Sequence, residues 1–177
     1  MIIDKIKGDL VQLFAEGKII AHGCNCFHAM ASGVAGQLAE AYPIISEVDN
    51  YTSYGDVNKL GKFSIALNKE KGGCINLYTQ YNPGRDGSYG AIATAFESLD
   101  KTAQKNPNIF KNGLYIPKIG CGIAGLEWTR VSNIINAVTP HIPIILVEWD
   151  NGVNQKVNVP KPPFIGLDVL LMESNWD

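Results

Sequence analysis

The chain has 177 residues, a formal net charge of −2 and 46% hydrophobic residues, which suits one domain with a full core rather than two. The slightly negative charge excludes a general electrostatic attraction to nucleic acid or anionic membranes, so we expect neither as a partner and expect any phosphate binding to be local. No apolar run reaches the ~20 residues of a membrane span, and residues 1–8 lack the pattern of a signal peptide, so we expect a cytoplasmic protein.

Hydrophobic periodicity predicts alternating strands and helices along the chain. Strand-like runs are expected at residues 2–6, 18–21, 62–67, 74–79, 114–119 and 143–149, with an apolar-rich segment at 10–14. Helical spacing is expected at residues 33–42, 44–54, 88–105 and 127–139. Strands alternating with helices predict a three-layer α/β/α sandwich, and the short link at residues 69–73 predicts that some strand pairs of a mixed central sheet are antiparallel.

The last part of the chain differs in composition from the rest. Residues 151–177 contain Pro160, Pro162 and Pro163 and show little periodicity. We expect residues 1–150 to form the domain and residues 151–177 to be an extension, either flexible or packed as an arm on the domain or on a second subunit.

Two strand-like runs lead into loops of small residues. The first runs through residues 18–26 and continues to residues 31–34, where a helical pattern starts, and the second spans residues 113–125. Small residues allow close approach to phosphate oxygens, and a helix N-terminus offers unpaired N–H groups at the positive end of its dipole. The two loops therefore predict two backbone cradles that converge on one diphosphate ligand.

Several other kinds of site are not supported. Gly120, Gly122 and Gly125 match the spacing G-x-G-x-x-G, but that motif opens a long sheet and needs an acid ~20 residues later, where residues 140–143 hold none. There is no G-x-x-x-x-G-K-[ST] and no G-x-S-x-G motif. The next arginine after Cys121 is Arg130, too distant for a cysteine phosphatase loop.

The four cysteines are Cys24, Cys26, Cys74 and Cys121. Cys24 and Cys26 are too close in sequence for an easy disulfide, and their spacing, with no accompanying histidine pair, does not match a zinc site. We expect buried thiols in a reducing compartment and no metal.

Five ordered segments resemble the motifs of the macrodomain family. They are residues 8–10, 21–25, 31–34, 116–125 and 147–149. The resemblance covers roughly residues 1–150. It implies a three-layer α/β/α sandwich that binds ADP-ribose in a cleft at the ends of the strands.

The resemblance also implies roles for the matching positions. Asp9 would accept a hydrogen bond from the adenine amino group, with Leu10 beside it and Trp149 or Asp150 near the adenine. Asn25 would hydrogen-bond the distal ribose. The residues alone leave other interpretations open, because Asp9 is also an ordinary helix N-cap, Asn25 an ordinary turn residue and Trp149 an ordinary core residue.

The small-residue loops and adjoining strand ends would hold the diphosphate and the distal ribose. The residues assigned to them are Gly23, Ala31, Ser32, Gly33, Val34, Thr79, Gln80, Gly120, Cys121, Gly122, Ile123, Ala124 and Gly125. The resemblance implies no cofactor and no metal. The expected partner is ADP-ribose or a derivative, and an ADP-ribosylated protein is a candidate partner.

Departures from the family bear on catalysis. One hydrolase branch uses an Asp where this chain has Ala35, and another uses a Lys and an Asp where it has Gln80 and Ala124. His22 stands where many macrodomains carry Asn. The segment at residues 22–26 resembles the ADP-ribose-1''-phosphate phosphatase branch. A histidine that titrates near neutral pH suits a general acid–base or a phosphate-binding group.

We therefore expect His22 to be catalytic in removing the 1''-phosphate of ADP-ribose-1''-phosphate. Three alternatives remain open at this point. The first is that His22 is a buried structural residue. The second is that the domain is a non-catalytic ADP-ribose reader or sequestering module, and the third is that the domain hydrolyses ADP-ribosyl esters or O-acetyl-ADP-ribose.

Overall fold

The computed structural model describes residues 1–68 and 72–150. The predicted extension at residues 151–177 lies outside these residues. In the described part, no helix is both long enough and apolar enough to cross a membrane.

A six-stranded sheet forms the centre of the domain. Its strands are β1 (Ile2–Gly8), β2 (Ile19–Cys24), β3 (Phe63–Leu67), β4 (Gly73–Tyr78), β5 (Leu114–Ile116) and β6 (Ile144–Trp149). They lie in the order β1-β6-β5-β2-β4-β3. All neighbours are parallel except β3 and β4, which confirms a mixed sheet with antiparallel strands on either side of the short link.

Helices cover both faces of this sheet. They are α1 (Leu10–Ala15), α2 (Gly33–Ala41), α3 (Pro43–Asn50), α4 (Tyr89–Lys105) and α5 (Trp128–Val138). Apolar residues of α1, α2 and α3 share one buried cluster with one face, and those of α4 and α5 share another cluster with the opposite face. The three-layer α/β/α sandwich predicted from the sequence is confirmed.

Local chemistry sets where these helices begin. The Asp9 carboxylate accepts from the Val11 N–H at 2.7 Å and the Ser88 hydroxyl accepts from the Ala91 N–H at 3.1 Å, so both residues act as N-caps. Pro43 starts α3, because a residue without an N–H loses nothing at the first helical position.

Three elements differ from the sequence-based prediction. Residues 10–14 lie in a helix, because Asp9 caps it. Helix α3 ends earlier than expected, because the N–H and hydroxyl of Thr52 both donate to the carbonyl of Asp49. Strand β5 stops at Ile116 rather than at residue 119, since Pro117 has no N–H to donate to a ladder.

The parallel strands bring their carboxyl ends to one edge of the sheet. Strands β1, β2, β4, β5 and β6 all point the same way. Asp9, Asn25, Thr79 and Pro117 each follow directly after one of these strands, and Trp149 ends another. Ligands of open α/β sheets bind at such an edge, so the fold collects the predicted site residues there.

Candidate functional site

A cleft of about 910 Å³ lies at this edge of the sheet, within the ~300–1,000 Å³ range of small-molecule sites. The sequence-predicted residues that line it are Asp9, Leu10, His22, Gly23, Asn25, Ala31, Ser32, Gly33, Val34, Thr79, Gln80, Gly120, Cys121, Gly122, Ile123, Ala124 and Trp149. Gly125 and Asp150 do not belong to this lining, so the cleft does not bring them together with the others.

One wall of the cleft is the start of helix α2. The first helical hydrogen bond runs from Gly36 N–H to the Ser32 carbonyl at 3.0 Å. The preceding N–H groups of Gly33, Val34 and Ala35 donate to no acceptor in residues 1–68 and 72–150, and the Ser32 side chain makes no cap. Gly33 has φ of 61°, a left-handed conformation that favours glycine. Three donors and a helix dipole therefore face an anion site.

A second wall is the loop between β5 and α5. Its backbone folds on itself through the bonds Cys121 N to Lys118 O, Gly125 N to Gly122 O and Leu126 N to Gly120 O, at 2.8–3.2 Å. The N–H groups of Gly122, Ile123 and Ala124 donate to no acceptor within the part of the chain that the structure describes. A Cβ added at Gly122 would meet nothing within 4 Å. This loop therefore offers a second set of free donors beside open space.

Three charged side chains line the cleft, those of Lys118, Glu148 and Asp9. The ammonium of Lys118 lies 3.6 Å from a carboxylate oxygen of Glu148, which the Lys5 ammonium also approaches at 3.8 Å. Lys118 and Glu148 are cleft residues that sequence reasoning missed, although both lie inside segments that carried the family resemblance.

Two residues at one end of the cleft settle open interpretations. Asp9 caps α1, as the N-cap interpretation predicted, and it also lines the cleft. Trp149 is 59% exposed at the end of β6, so the interpretation of Trp149 as a core residue is wrong. A large exposed aromatic side chain beside a carboxylate provides a surface on which a base can stack.

Comparison with known proteins identifies the fold. No protein-family model matches the chain. It is 44% identical over 154 residues to an uncharacterized 17.5 kDa protein of Enterobacteria phage T4, covering 85% of this chain and 98% of the relative. It is 26% identical over 161 residues to an ADP-ribose 1''-phosphate phosphatase of Saccharomyces cerevisiae (strain YJM789), covering 75% and 90% of the two chains.

Solved structures with the same fold include macrodomains. The macrodomain of Thermus aquaticus DarG superposes with a TM-score of 0.66 at 16% identity, covering 84% of this chain and 98% of that one. Thermosipho africanus DarTG, solved in complex with ADP-ribose, gives a TM-score of 0.65 at 14% identity, covering 87% of this chain and 42% of that one. The chain therefore has the macrodomain fold.

In this macrodomain Asn25 holds its own loop together. Its Oδ1 accepts from the N–H groups of Phe27 and Ala29 at 2.9 and 3.3 Å, and its Nδ2 donates to the Ala29 carbonyl at 2.8 Å. The interpretation of Asn25 as a turn residue is confirmed. One Nδ2 hydrogen remains for a ligand, so its role towards a ribose stays a prediction.

At the end of β4, Thr79 lies close to Gly23, and the side chain of Gln80 holds the loop that follows. A Cβ at Gly23 would lie 2.7 Å from the Thr79 hydroxyl and 3.3 Å from the Ile119 side chain, so a larger residue would displace these two side chains. The Gln80 amide donates to the carbonyls of Asn82 and Gly84 at 2.7 and 2.9 Å. It shapes the loop that borders the cleft and leaves its Oε1 as acceptor.

His22 is the residue for which the structure changes the expectation most. Its side chain is 1% exposed, and burial, opposed by a hydrogen bond with Asn76, lowers its pKa to about 4. The expectation that His22 titrates near neutral pH is therefore wrong, because the folded protein keeps the imidazole away from water. At neutral pH His22 is uncharged and acts through hydrogen bonds rather than as a cation.

The cleft cysteines are thiols rather than thiolates. Burial raises the pKa of Cys121, partly opposed by Lys118, and its Sγ donates to the Ile119 carbonyl at 3.3 Å. Burial also raises the pKa of Cys24 well above its usual value. Neither sulfur is an activated nucleophile at neutral pH.

Proposed function

We propose that this macrodomain binds ADP-ribose in the cleft, with the diphosphate between the two sets of free N–H groups. Those donors, at Gly33–Ala35 on one wall and Gly122–Ala124 on the other, are the observation that carries the proposal. Six free N–H groups on two walls of one cleft suit an anion with several oxygens. The DarTG structure in complex with ADP-ribose supports this choice of ligand.

The strand order supports the orientation of the ligand. Asp9 follows β1, Trp149 ends β6, the Gly120–Gly125 loop follows β5, and Asn25 follows β2. Neighbouring strands lie about 4.8 Å apart, so β1 and β2 are roughly 14 Å apart along the edge. Adenine recognition, diphosphate binding and distal ribose recognition therefore follow one another in the order in which these groups occur in ADP-ribose.

We further propose that the protein hydrolyses ADP-ribose-1''-phosphate. Water adds across the bond between phosphorus and O1'', giving ADP-ribose and inorganic phosphate. The yeast relative, an ADP-ribose 1''-phosphate phosphatase, supports this reaction. Ala35, Gln80 and Ala124 provide no carboxylate or ammonium for the other hydrolase mechanisms, which leaves His22 as the candidate catalytic residue.

A non-catalytic ADP-ribose reader is the second candidate function. The burial of His22 favours it, because a general acid–base must reach the proton that it transfers. In a reader, His22 would shape the sugar end of the cleft without any turnover.

One experiment separates these functions. The protein is incubated with ADP-ribose-1''-phosphate, O-acetyl-ADP-ribose and an ADP-ribosylated protein, and the loss of each is followed by chromatography. We expect release of phosphate from the first alone, and its loss in His22→Asn. ADP-ribose binding without any turnover would establish the reader, and consumption of either other substrate would establish ester or protein de-ADP-ribosylation.

A further inference from the structure

A row of buried polar side chains crosses the sheet from the cleft to its far edge. The strand register pairs His22 on β2 with Asn76 on β4, and Asn76 with Ser64 on β3. All three are almost completely buried. Because register partners share one face of the sheet, the row lies under helix α3.

Hydrogen bonds fix the orientation of the Asn76 amide. Its Nδ2 lies 3.3 Å from the carbonyl oxygen of Ile45 on α3 and 3.3 Å from the Ser64 hydroxyl. A backbone carbonyl only accepts, so this side of the amide must be the NH₂ group. A flipped amide would place one carbonyl oxygen against another in a buried site, which costs the desolvation of both.

The fixed amide in turn fixes the protonation of His22. The Oδ1 of Asn76 is 2.7 Å from His22 Nε2, and an oxygen that only accepts requires a proton on Nε2. In the neutral imidazole Nδ1 then carries a lone pair. The Cys24 thiol lies 3.8 Å from Nδ1 and 3.6 Å from Nε2, so it is only a weak partner for Nδ1.

We propose that Asn76 is a positioning residue that holds His22 as the Nε2–H tautomer, so that Nδ1 accepts a hydrogen bond from the sugar end of the bound ligand. This inference rests on the proposed function for the identity of that ligand. This tautomer also sets the direction of proton transfer at His22, because Nδ1 receives a proton and does not supply one.

The surrounding titratable groups are engaged elsewhere. Cys24 on β2 and Cys74 on β4 are buried thiols of raised pKa, and the Tyr78 hydroxyl donates to the Asp49 carboxylate of α3 at 2.8 Å. The Lys59 ammonium donates to the Cys26 carbonyl at 3.3 Å. Within the described residues no carboxylate forms an ion pair with His22, so Asn76 is what sets its tautomer.

Nitrogen-15 NMR of the imidazole rings tests the proposal. The chain has three histidines, and His22→Asn assigns the signals of His22. In the wild type we expect a protonated Nε2, a bare Nδ1, and a shift of the Nδ1 resonance when ADP-ribose is added. Ser64→Ala is the matched control, because the Ile45 carbonyl still holds the amide and the tautomer should not change.

Asn76→Asp is the informative variant, since it keeps the shape and replaces an amide with a carboxylate. A carboxylate in contact with imidazole should raise the pKa of His22 by about 1–3 units. The acidic limb of the pH–rate profile for phosphate release should move up by the same amount, because only neutral His22 accepts a proton. Circular dichroism melts verify that the variant is folded.

The proposal is overturned if the wild type carries its proton on Nδ1, if ADP-ribose leaves the Nδ1 resonance unchanged, or if the acidic limb stays in place while the NMR pKa moves. If the wild type releases no phosphate, the proposed reaction fails, and the Nδ1 response to ADP-ribose still decides whether Asn76 positions an acceptor.

Discussion

Placing a negative charge at Gly122 tests whether the loop after β5 holds the diphosphate. A side chain at Gly122 would enter open space, since no atom lies within 4 Å of its added Cβ. The backbone of Gly122 is not left-handed, so a glutamate brings no strain. Gly122→Glu should therefore fold normally while its carboxylate occupies the place proposed for phosphate oxygens.

The expected loss of affinity follows from charge repulsion. Two like charges 4 Å apart repel by about 1 kcal/mol in water and by about 4 kcal/mol at the effective dielectric of a protein surface. Each 1.4 kcal/mol is a factor of ten in Kd, so ADP-ribose binding should weaken between about fivefold and about a thousandfold. The larger figure applies if the side chain is held in the cleft.

Isothermal titration calorimetry with ADP-ribose measures this loss. Gly90→Glu is the matched control, because it makes the same charge change on the exposed first turn of α4, outside the cleft lining. We expect Gly90→Glu to bind as the wild type does. Unchanged affinity in a folded Gly122→Glu protein would refute the assignment of this loop to the diphosphate.

Three further predictions concern Asp9 and His22. Asp9→Ala should weaken ADP-ribose binding by about ten- to hundredfold, because a hydrogen bond to a carboxylate contributes about 1.5–3 kcal/mol. The same variant should lower the free energy of unfolding by about 1 kcal/mol, because helix α1 loses its N-cap. Asp9→Ser should keep the cap and the melting temperature but lose the affinity; if both variants bind normally, Asp9 is only a cap. His22→Asn should reduce phosphate release by ~10²–10⁴-fold with little change in ADP-ribose affinity measured by calorimetry, and full activity would show that His22 is not the catalytic residue. The pKa of His22 is about 4 in the folded protein and about 6.5 in the unfolded chain, so between these pH values unfolding takes up a proton. Lowering the pH from about 6.5 to about 4 should therefore reduce the free energy of unfolding by about 3 kcal/mol. Urea titrations should show this loss in the wild type and its absence in His22→Asn.

The sequence predicted those parts of the fold that depend on local pattern. Helix α4 repeats its apolar positions every three or four residues behind a Ser88 cap, and β6 is an unbroken apolar run, so both were identifiable from nearby residues. The two small-residue loops were likewise identifiable from the sequence, and both line the cleft. Helix α1 has only six residues, too few for a periodic signal, and the sequence offered its cap at Asp9 only as one of two interpretations.

The environment of His22 could not be predicted in the same way. Asn76 lies 54 residues away along the chain and reaches His22 only because β4 pairs with β2 in one particular register. That register depends on the packing of the whole sheet. Burial of the imidazole, and with it the lowered pKa, is therefore a property of the tertiary structure. The pairing of Lys118 with Glu148 has the same origin, since it joins the segments after β5 and in β6.

Comparing ligands by calorimetry tests the central claim most directly. The claim is that one cleft recognises adenine, diphosphate and distal ribose together, at Asp9, the two N–H walls and Asn25. ADP-ribose should bind more tightly than ADP, AMP or NAD, and Gly122→Glu should weaken the binding of the diphosphates ADP-ribose and ADP more than that of AMP. Equal affinity for AMP and ADP-ribose would contradict the claim, because the donors at the diphosphate and the groups at the distal ribose would then contribute nothing.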